Sequence, residues 1–214
     1  NPGADVGIID AVAYANNPEN GLYGTGKSKA SVLGGTVHNL FGASNTKGNV
    51  VTGWQTLGGK KYYFDANGIM QTGWQTIGDQ TYLFAADGSM AYGWFNDGVY
   101  SYYLSTVDGH KVTGWQTIEG KTYFFDAAGH MTTGATTLNG LSYLFAADGT
   151  MYTGWFNDGV STRYYETDGH MAVGLATING SIYYFDINGN MQTGIVDIGG
   201  VPYIFDVDGK MLPQ

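Results

Sequence analysis

Five tryptophans are the residues in this chain best suited to ligand chemistry. Trp54, Trp74, Trp94, Trp115 and Trp155 each follow a glycine directly. An exposed indole offers a flat apolar face to the C–H face of a sugar ring, or a π surface to a cation. Nearby amides, hydroxyls and ammonium groups then supply hydrogen bonds. Such neighbours recur here. Gln55, Gln75 and Gln116 follow their tryptophans, and Lys61 and Tyr63 lie across the expected hairpin from Trp54. Tyr103 and Tyr165 belong to the tyrosine pairs that accompany Trp94 and Trp155. The competing role is structural, with each indole stapling one hairpin to the next. Three repeats carry Ala135, Leu175 and Ile195 in the tryptophan place, so stacking survives without the ring. The five indoles are therefore assigned to ligand contact, together with the seven neighbours just named.

Other chemistries fit poorly. A glycosidase needs one unique pair of carboxylates, whereas Asp65, Asp126, Asp186 and Asp206 recur repeat by repeat and are expected to close turns through backbone bonds. No nucleophile elbow, phosphate loop, zinc or calcium pattern occurs, so no residue is assigned to catalysis or to a metal, and no cofactor is expected. His110, His130 and His170 share one loop position, and His38 stands alone. No cysteine is present, which excludes disulfides and thiolate metal sites. A formal net charge of -9 disfavours nucleic acid, whose phosphates need a basic footprint. No apolar run reaches membrane-spanning length. The expected partner is a carbohydrate polymer or cell-surface glycan, and the oligomeric state is left open. The opening at Asn1-Pro2, without an initiator methionine, is expected of a mature or excised piece.

The elements that must position the tryptophans are set by a twenty-residue period. The glycines before them, with Gly134, Gly174 and Gly194, step by twenty except for one step of twenty-one between Gly93 and Gly114. Seven methionines, from Met70 to Met211, each lie two residues after another glycine, as soft core filler. Self-similarity of this kind marks a repeat protein whose units bury their apolar faces on each other. Within residues 53–72 a short run, Trp54 to Leu57, meets Gly58-Gly59, and a second run follows over Lys60 to Asp65. Two β-prone runs around a two-residue glycine loop predict a hairpin. Alternation puts the Tyr62 and Phe64 places on the core face and the Tyr63 place toward ligand or solvent. The tyrosine pairs Tyr102-Tyr103 and Tyr164-Tyr165 slip against the others. The fold class expected is all-β, a solenoid of stacked β-hairpin repeats of about twenty residues. Gly-Trp-Phe-Asn-Asp-Gly-Val at 93–99 returns at 154–160, three units on, which predicts roughly three hairpins per superhelical turn. Residues 53–214 form the eight-unit repeat domain, 32–52 a degenerate capping repeat, and 1–31 a linker or the tail of a preceding domain.

The strings TGWQTLGGKKYYFDANGIMQTGWQTIGDQTYLF and TGWQTIEGKTYFFDAAGHMTTG closely resemble the cell-wall-binding repeat superfamily. That superfamily includes choline-binding modules, the glucan-binding repeats of glucansucrases and the repeats of large clostridial toxins. The resemblance covers about residues 50–214. It implies ligand pockets between neighbouring hairpins and a module that accompanies an exported protein, secreted or on the bacterial cell surface. Choline-binding modules typically carry a second tryptophan before the tyrosine pair. Here that place holds Lys61, Thr81, Ser101, Thr122, Ser142, Ile182 and Pro202. Carbohydrate is therefore expected ahead of choline. A choline or teichoic-acid anchor, or the C-terminal targeting module of an exported wall- or glycan-cleaving enzyme, is the alternative. A purely structural spacer also stays open.

Overall fold

A computed structural model describes residues 51–213. The capping repeat and the linker assigned to residues 1–52 lie outside the described residues, except for its last two positions. The described chain falls into two units, up to Val112 and from Thr113 onward.

The first unit holds β1 (Gly53–Leu57), β2 (Lys60–Phe64), β3 (Gly73–Ile77), β4 (Gln80–Phe84), β5 (Gly93–Asn96) and β6 (Ser101–Leu104). Each consecutive pair is a two-stranded antiparallel hairpin. The second unit repeats this with β7 (Gly114–Ile118), β8 (Lys121–Phe125), β9 (Gly134–Leu138), β10 (Leu141–Phe145), β11 (Gly154–Asn157) and β12 (Thr162–Tyr165). It ends with β13 (Gly174–Ile178), β14 (Ser181–Phe185), β15 (Gly194–Ile198) and β16 (Val201–Phe205). The described residues are thus all-β, as the twenty-residue period predicts.

Turn chemistry fixes each hairpin. Gly58 and Gly59 both have positive φ, at 56° and 78°, the backbone of a primed two-residue turn. Glu119, Asn139 and Asn179 take the first of these places at φ values of 50–52°. Asparagine tolerates the left-handed region better than glutamate. Glu119→Gly is therefore expected to stabilise the protein by about 0.5–1 kcal/mol, read by urea denaturation. An unchanged or lower midpoint would count against this account of the turn.

The aspartates close the distal turns as expected. Asp65 Oδ1 accepts from the Asn67 and Ile69 N–H groups, and Asp126, Asp186 and Asp206 do the same in their repeats. Where Ala85 stands in the Asp65 place, Asp87 two residues on closes the turn instead: bonds from the Ser89 hydroxyl and N–H, then from the Lys60 ammonium at 3.2 Å, hold its carboxyl at about 2. Backbone N–H bonds likewise lower Asp97 and Asp148. A carboxylate whose folded pKa is depressed adds stability that is present above its unfolded pKa and is lost as pH falls toward the folded value. The melting temperature should therefore hold between roughly pH 7 and 5 and fall from about pH 4 downward. A thermal melt that is flat down to about pH 2.5 would contradict it.

Stacking is carried by two further devices. The segment after each distal turn runs back beside the second strand, with the Gln71 N–H donating to Tyr63 O and Met70 bridging Phe64. The methionine N–H then reaches the preceding hairpin. Met90 donates to Lys61 O, Met151 to Thr122 O, Met171 to Ser142 O and Met191 to Thr162 O, each at 2.7–2.8 Å. Beneath this ladder Phe64, Phe84, Phe125, Phe145, Phe185 and Phe205 are 0–2% exposed. Each buried ring contributes about 1.5–3 kcal/mol through the water it sheds. The core reading of the Phe64 place holds. The methionine reading needs one refinement, since Met70 and Met90 are buried but Met131, Met151, Met171, Met191 and Met211 are only half-buried. Met70, Met90, Met131, Met151, Met171 and Met191 each lie against the distal glycine of the following repeat.

Candidate functional site

Each tryptophan is the second residue of its hairpin's first strand, so alternation throws the indole away from the buried phenylalanines. The cross-strand partner of Trp54 is Tyr63, with ring centroids 5.1 Å apart and edge-on. From the next hairpin Tyr82 stands 4.9 Å away and Phe84 5.9 Å. The same corner recurs at Trp115, with Phe124 at 5.1 Å, Tyr143 at 5.1 Å and Phe145 at 5.9 Å. It recurs again at Trp155, with Tyr164 at 5.0 Å, Tyr183 at 4.9 Å and Phe185 at 6.0 Å. Edge-to-face contacts at these spacings hold the indoles in place. All five tryptophans remain 38–45% exposed. Ala135, Leu175 and Ile195, which replace them, are exposed as well. The indole place is therefore surface in every described repeat.

At Trp54 the corner opens onto a cavity of about 250 Å³ lined by Trp54, Gln55, Thr56, Lys61, Tyr82 and Asp108. Asp108 carries the negative charge. A side-chain bond with Ser105 and pairing with His110 at 2.6 Å outweigh burial and hold its carboxyl below the usual carboxylate range. Tyr82 answers in the opposite sense, its phenol raised first by burial and then by the Asp108 charge. The cavity thus combines aromatic faces, one carboxylate and the Lys61 ammonium.

The structure brings Trp54, Tyr63 and Lys61 together, and Trp94 with Tyr103 at 5.0 Å. It departs from the sequence reading at Trp155. Tyr165 pairs with Gly154 and is only 4% exposed, so it takes the buried phenylalanine place. Tyr164 is the ring beside Trp155. The slip expected for the two tyrosine pairs is confined to this hairpin. Tyr102 and Tyr103 align with the Tyr62 and Tyr63 places, because Leu104 fills the phenylalanine place. Gln55, Gln75 and Gln116 donate their side-chain amides to Thr52 O, Thr72 O and Thr113 O at 2.8–3.0 Å, so these N–H groups tie down the chain ahead of the strand. Trp74 has Leu83 across its hairpin, with Phe95 and Tyr102 from the next one.

Sequence reasoning missed Tyr82, Tyr143 and Tyr183, whose recurrence at the Tyr62 place reads as core alone. Tyr82 and Tyr143 are half-buried and Tyr183 is buried, and their rings wall the preceding tryptophan. Asp108 was missed too. A second hollow, of about 550 Å³, is lined by Asp158, Ser161, Arg163, Asp186, Asn190 and Gln192 among others, where Arg163 replaces a ring at the Tyr62 place. Asp158 accepts from Arg163 at 2.8 Å. His130 and His170 pair with Asp126 and Asp168 in their own loops. Among the described residues no cluster of three or more histidines and carboxylates is placed to hold a metal, and no helix is long and apolar enough to cross a membrane.

Stacked twenty-residue hairpins, five of which present an exposed indole, define a repeat module with several surface corners of rings. The chain belongs to the choline-binding repeat family, which matches residues 51–74, 71–111, 112–137 and 132–174. A putative cell wall binding repeat matches residues 173–191. Among solved structures it is similar to CbpJ from Streptococcus pneumoniae TIGR4, at 29% identity and a TM-score of 0.67, over 77% of this chain and 66% of that one. Choline binding protein F from Streptococcus pneumoniae is 28% identical with a TM-score of 0.69, over 76% of this chain and 58% of that one. That protein has also been crystallised with a peptidoglycan analogue. The choline-binding domain of CbpL from the same species is 27% identical with a TM-score of 0.55, covering 76% and 87%. The chain spans 66% and 58% of the lengths of CbpJ and choline binding protein F. No curated protein sequence matches it. The repeats belong to a family of binding modules.

Proposed function

We propose that this chain is a non-catalytic, multivalent module that holds an exported protein on a cell-wall or cell-surface carbohydrate polymer. The observation that carries this reading is the ring corner repeated at Trp54, Trp115 and Trp155, with the indole face open each time. A corner this shallow binds weakly by itself. Several on one polymer give useful retention, because each later contact is intramolecular. Trp54, Trp115 and Trp155 supply stacking faces, and Lys61 supplies a hydrogen-bond donor at the Trp54 cavity. The parent protein is secreted or surface-bound in this reading, and any wall- or glycan-cleaving activity belongs to a part outside the repeats.

One observation favours choline, carried on the polymer, as the group recognised. Asp108 sits on the rim of the Trp54 cavity, where a carboxylate beside two π faces suits a quaternary ammonium. The missing second tryptophan is offset by Tyr82, which brings a ring from the next hairpin. Titration with choline, an α-glucan and wall oligosaccharides, followed by tryptophan fluorescence, separates the readings. Saturation by choline alone selects the second, and saturation by a neutral glycan selects the first. Silence toward all of them removes both and leaves a structural spacer.

A further inference from the structure

Lys111 occupies the place that methionine holds in the other repeats, from Met70 to Met211. Its backbone is unaltered by the exchange. The Lys111 N–H donates to Thr81 O at 2.7 Å, as Met90 does to Lys61 O at 2.8 Å, and Lys111 bridges Leu104 as Met70 bridges Phe64. Only the side chain differs. Its ammonium stands over Trp74, 5.3 Å from the ring centroid, and over Tyr102 at 6.0 Å. Those two rings are 5.2 Å apart and inclined at 55°, so the cation sits in the angle between them. Both distances lie within the range at which an aromatic face attracts a cation. Among the described residues no ammonium stands over the Trp54, Trp115 or Trp155 ring; Lys61 lines the Trp54 cavity, but there the Asp108 carboxylate faces it.

We infer that Lys111 is a built-in occupant of the Trp74 corner, which closes that corner to cationic ligands while Trp54, Trp115 and Trp155 stay open. The inference rests on the choline reading above. A second cation brought to Trp74 meets a like charge and rings whose faces are already engaged. The chain therefore carries tryptophans of two kinds, and residue 111 decides to which kind Trp74 belongs. Tyr102 is placed as Tyr82 is at the Trp54 corner, while Phe95 from the first strand of the next hairpin supplies the second ring, because Leu104 fills the phenylalanine place.

The five indole N–H signals in a proton–nitrogen correlation spectrum, titrated with choline chloride, test this residue by residue. In the wild-type chain Trp54, Trp115 and Trp155 should shift, with Trp74 needing about tenfold more choline. Lys111→Met, which installs the residue of the other repeats, should bring the Trp74 midpoint into line with the rest. Lys111→Arg retains a cation and should leave Trp74 closed. If wild-type Trp74 titrates together with Trp54, the inference is wrong and the choline reading stands. If Lys111→Met leaves Trp74 silent while the others respond, the inference is equally wrong. If no indole responds in either protein, the choline reading fails and takes the inference with it.

Discussion

Replacing Trp54, Trp115 and Trp155 together by leucine is expected to leave a folded protein that no longer stays on its polymer. The two halves of this result come from different features. Folding should survive because Leu175 already fills the indole place in a hairpin with the same register, Leu175 opposite Tyr184, over a phenylalanine as deeply buried as the others. The indoles are about two-fifths exposed and Leu175 about half, so a leucine keeps part of the burial. A stability loss of about 1–3 kcal/mol per site is expected for losing two edge-to-face ring contacts. Retention should fail because avidity multiplies weak sites: losing three corners at once should weaken binding to a wall preparation by about a hundredfold or more. Co-sedimentation with cell walls, beside a denaturation curve, measures both. Undiminished sedimentation by a folded triple variant would move the site away from the tryptophans, with the polar hollow at Arg163 the next place to look.

Gly149→Ala should act in the opposite way, breaking the stack without touching a ligand contact. Gly149 has φ +80°, a conformation that costs an alanine about 1–2 kcal/mol. A Cβ there would also stand 2.7 Å from Met131 Cγ and closer still to its sulfur. Met131 is flexible, but moving it disturbs the packing under its own backbone. Together the two effects predict a loss of about 2–4 kcal/mol, seen as a lower urea midpoint. Adding Met131→Ala should return the steric part and leave the backbone part. Full recovery in the double variant would mean that φ strain is negligible at this glycine. No recovery would mean that the methionine is not the obstacle.

Much of this fold was legible because its rules are local. Paired glycines and Asn-Gly steps force primed turns, period-two alternation buries Phe64 and exposes Trp54, and a repeat of twenty residues requires stacking. The tyrosine pairs show where local reading stops. Both Tyr102-Tyr103 and Tyr164-Tyr165 follow a four-residue loop, yet only the second has its rings displaced by one place. An apolar residue after the pair decides the matter: Leu104 can be buried, whereas Glu166 cannot, so Tyr165 moves into the core. That signal was present in the sequence, and a comparison of which residue must be buried would have found Tyr164.

Other features were not legible from one repeat at all. By itself the sequence determined that there would be hairpins, where they turn, and that five indoles would lie on their surface, since each follows from alternation and turn chemistry within twenty residues. Only the tertiary structure decided which ring of the next hairpin meets which indole, that Asp108 joins Trp54, and that Lys111 covers Trp74. Those pairings depend on the offset between neighbouring repeats. Backbone bonds such as Met90 to Lys61 O and Lys111 to Thr81 O set that offset, and a backbone bond is blind to the side chains it brings together.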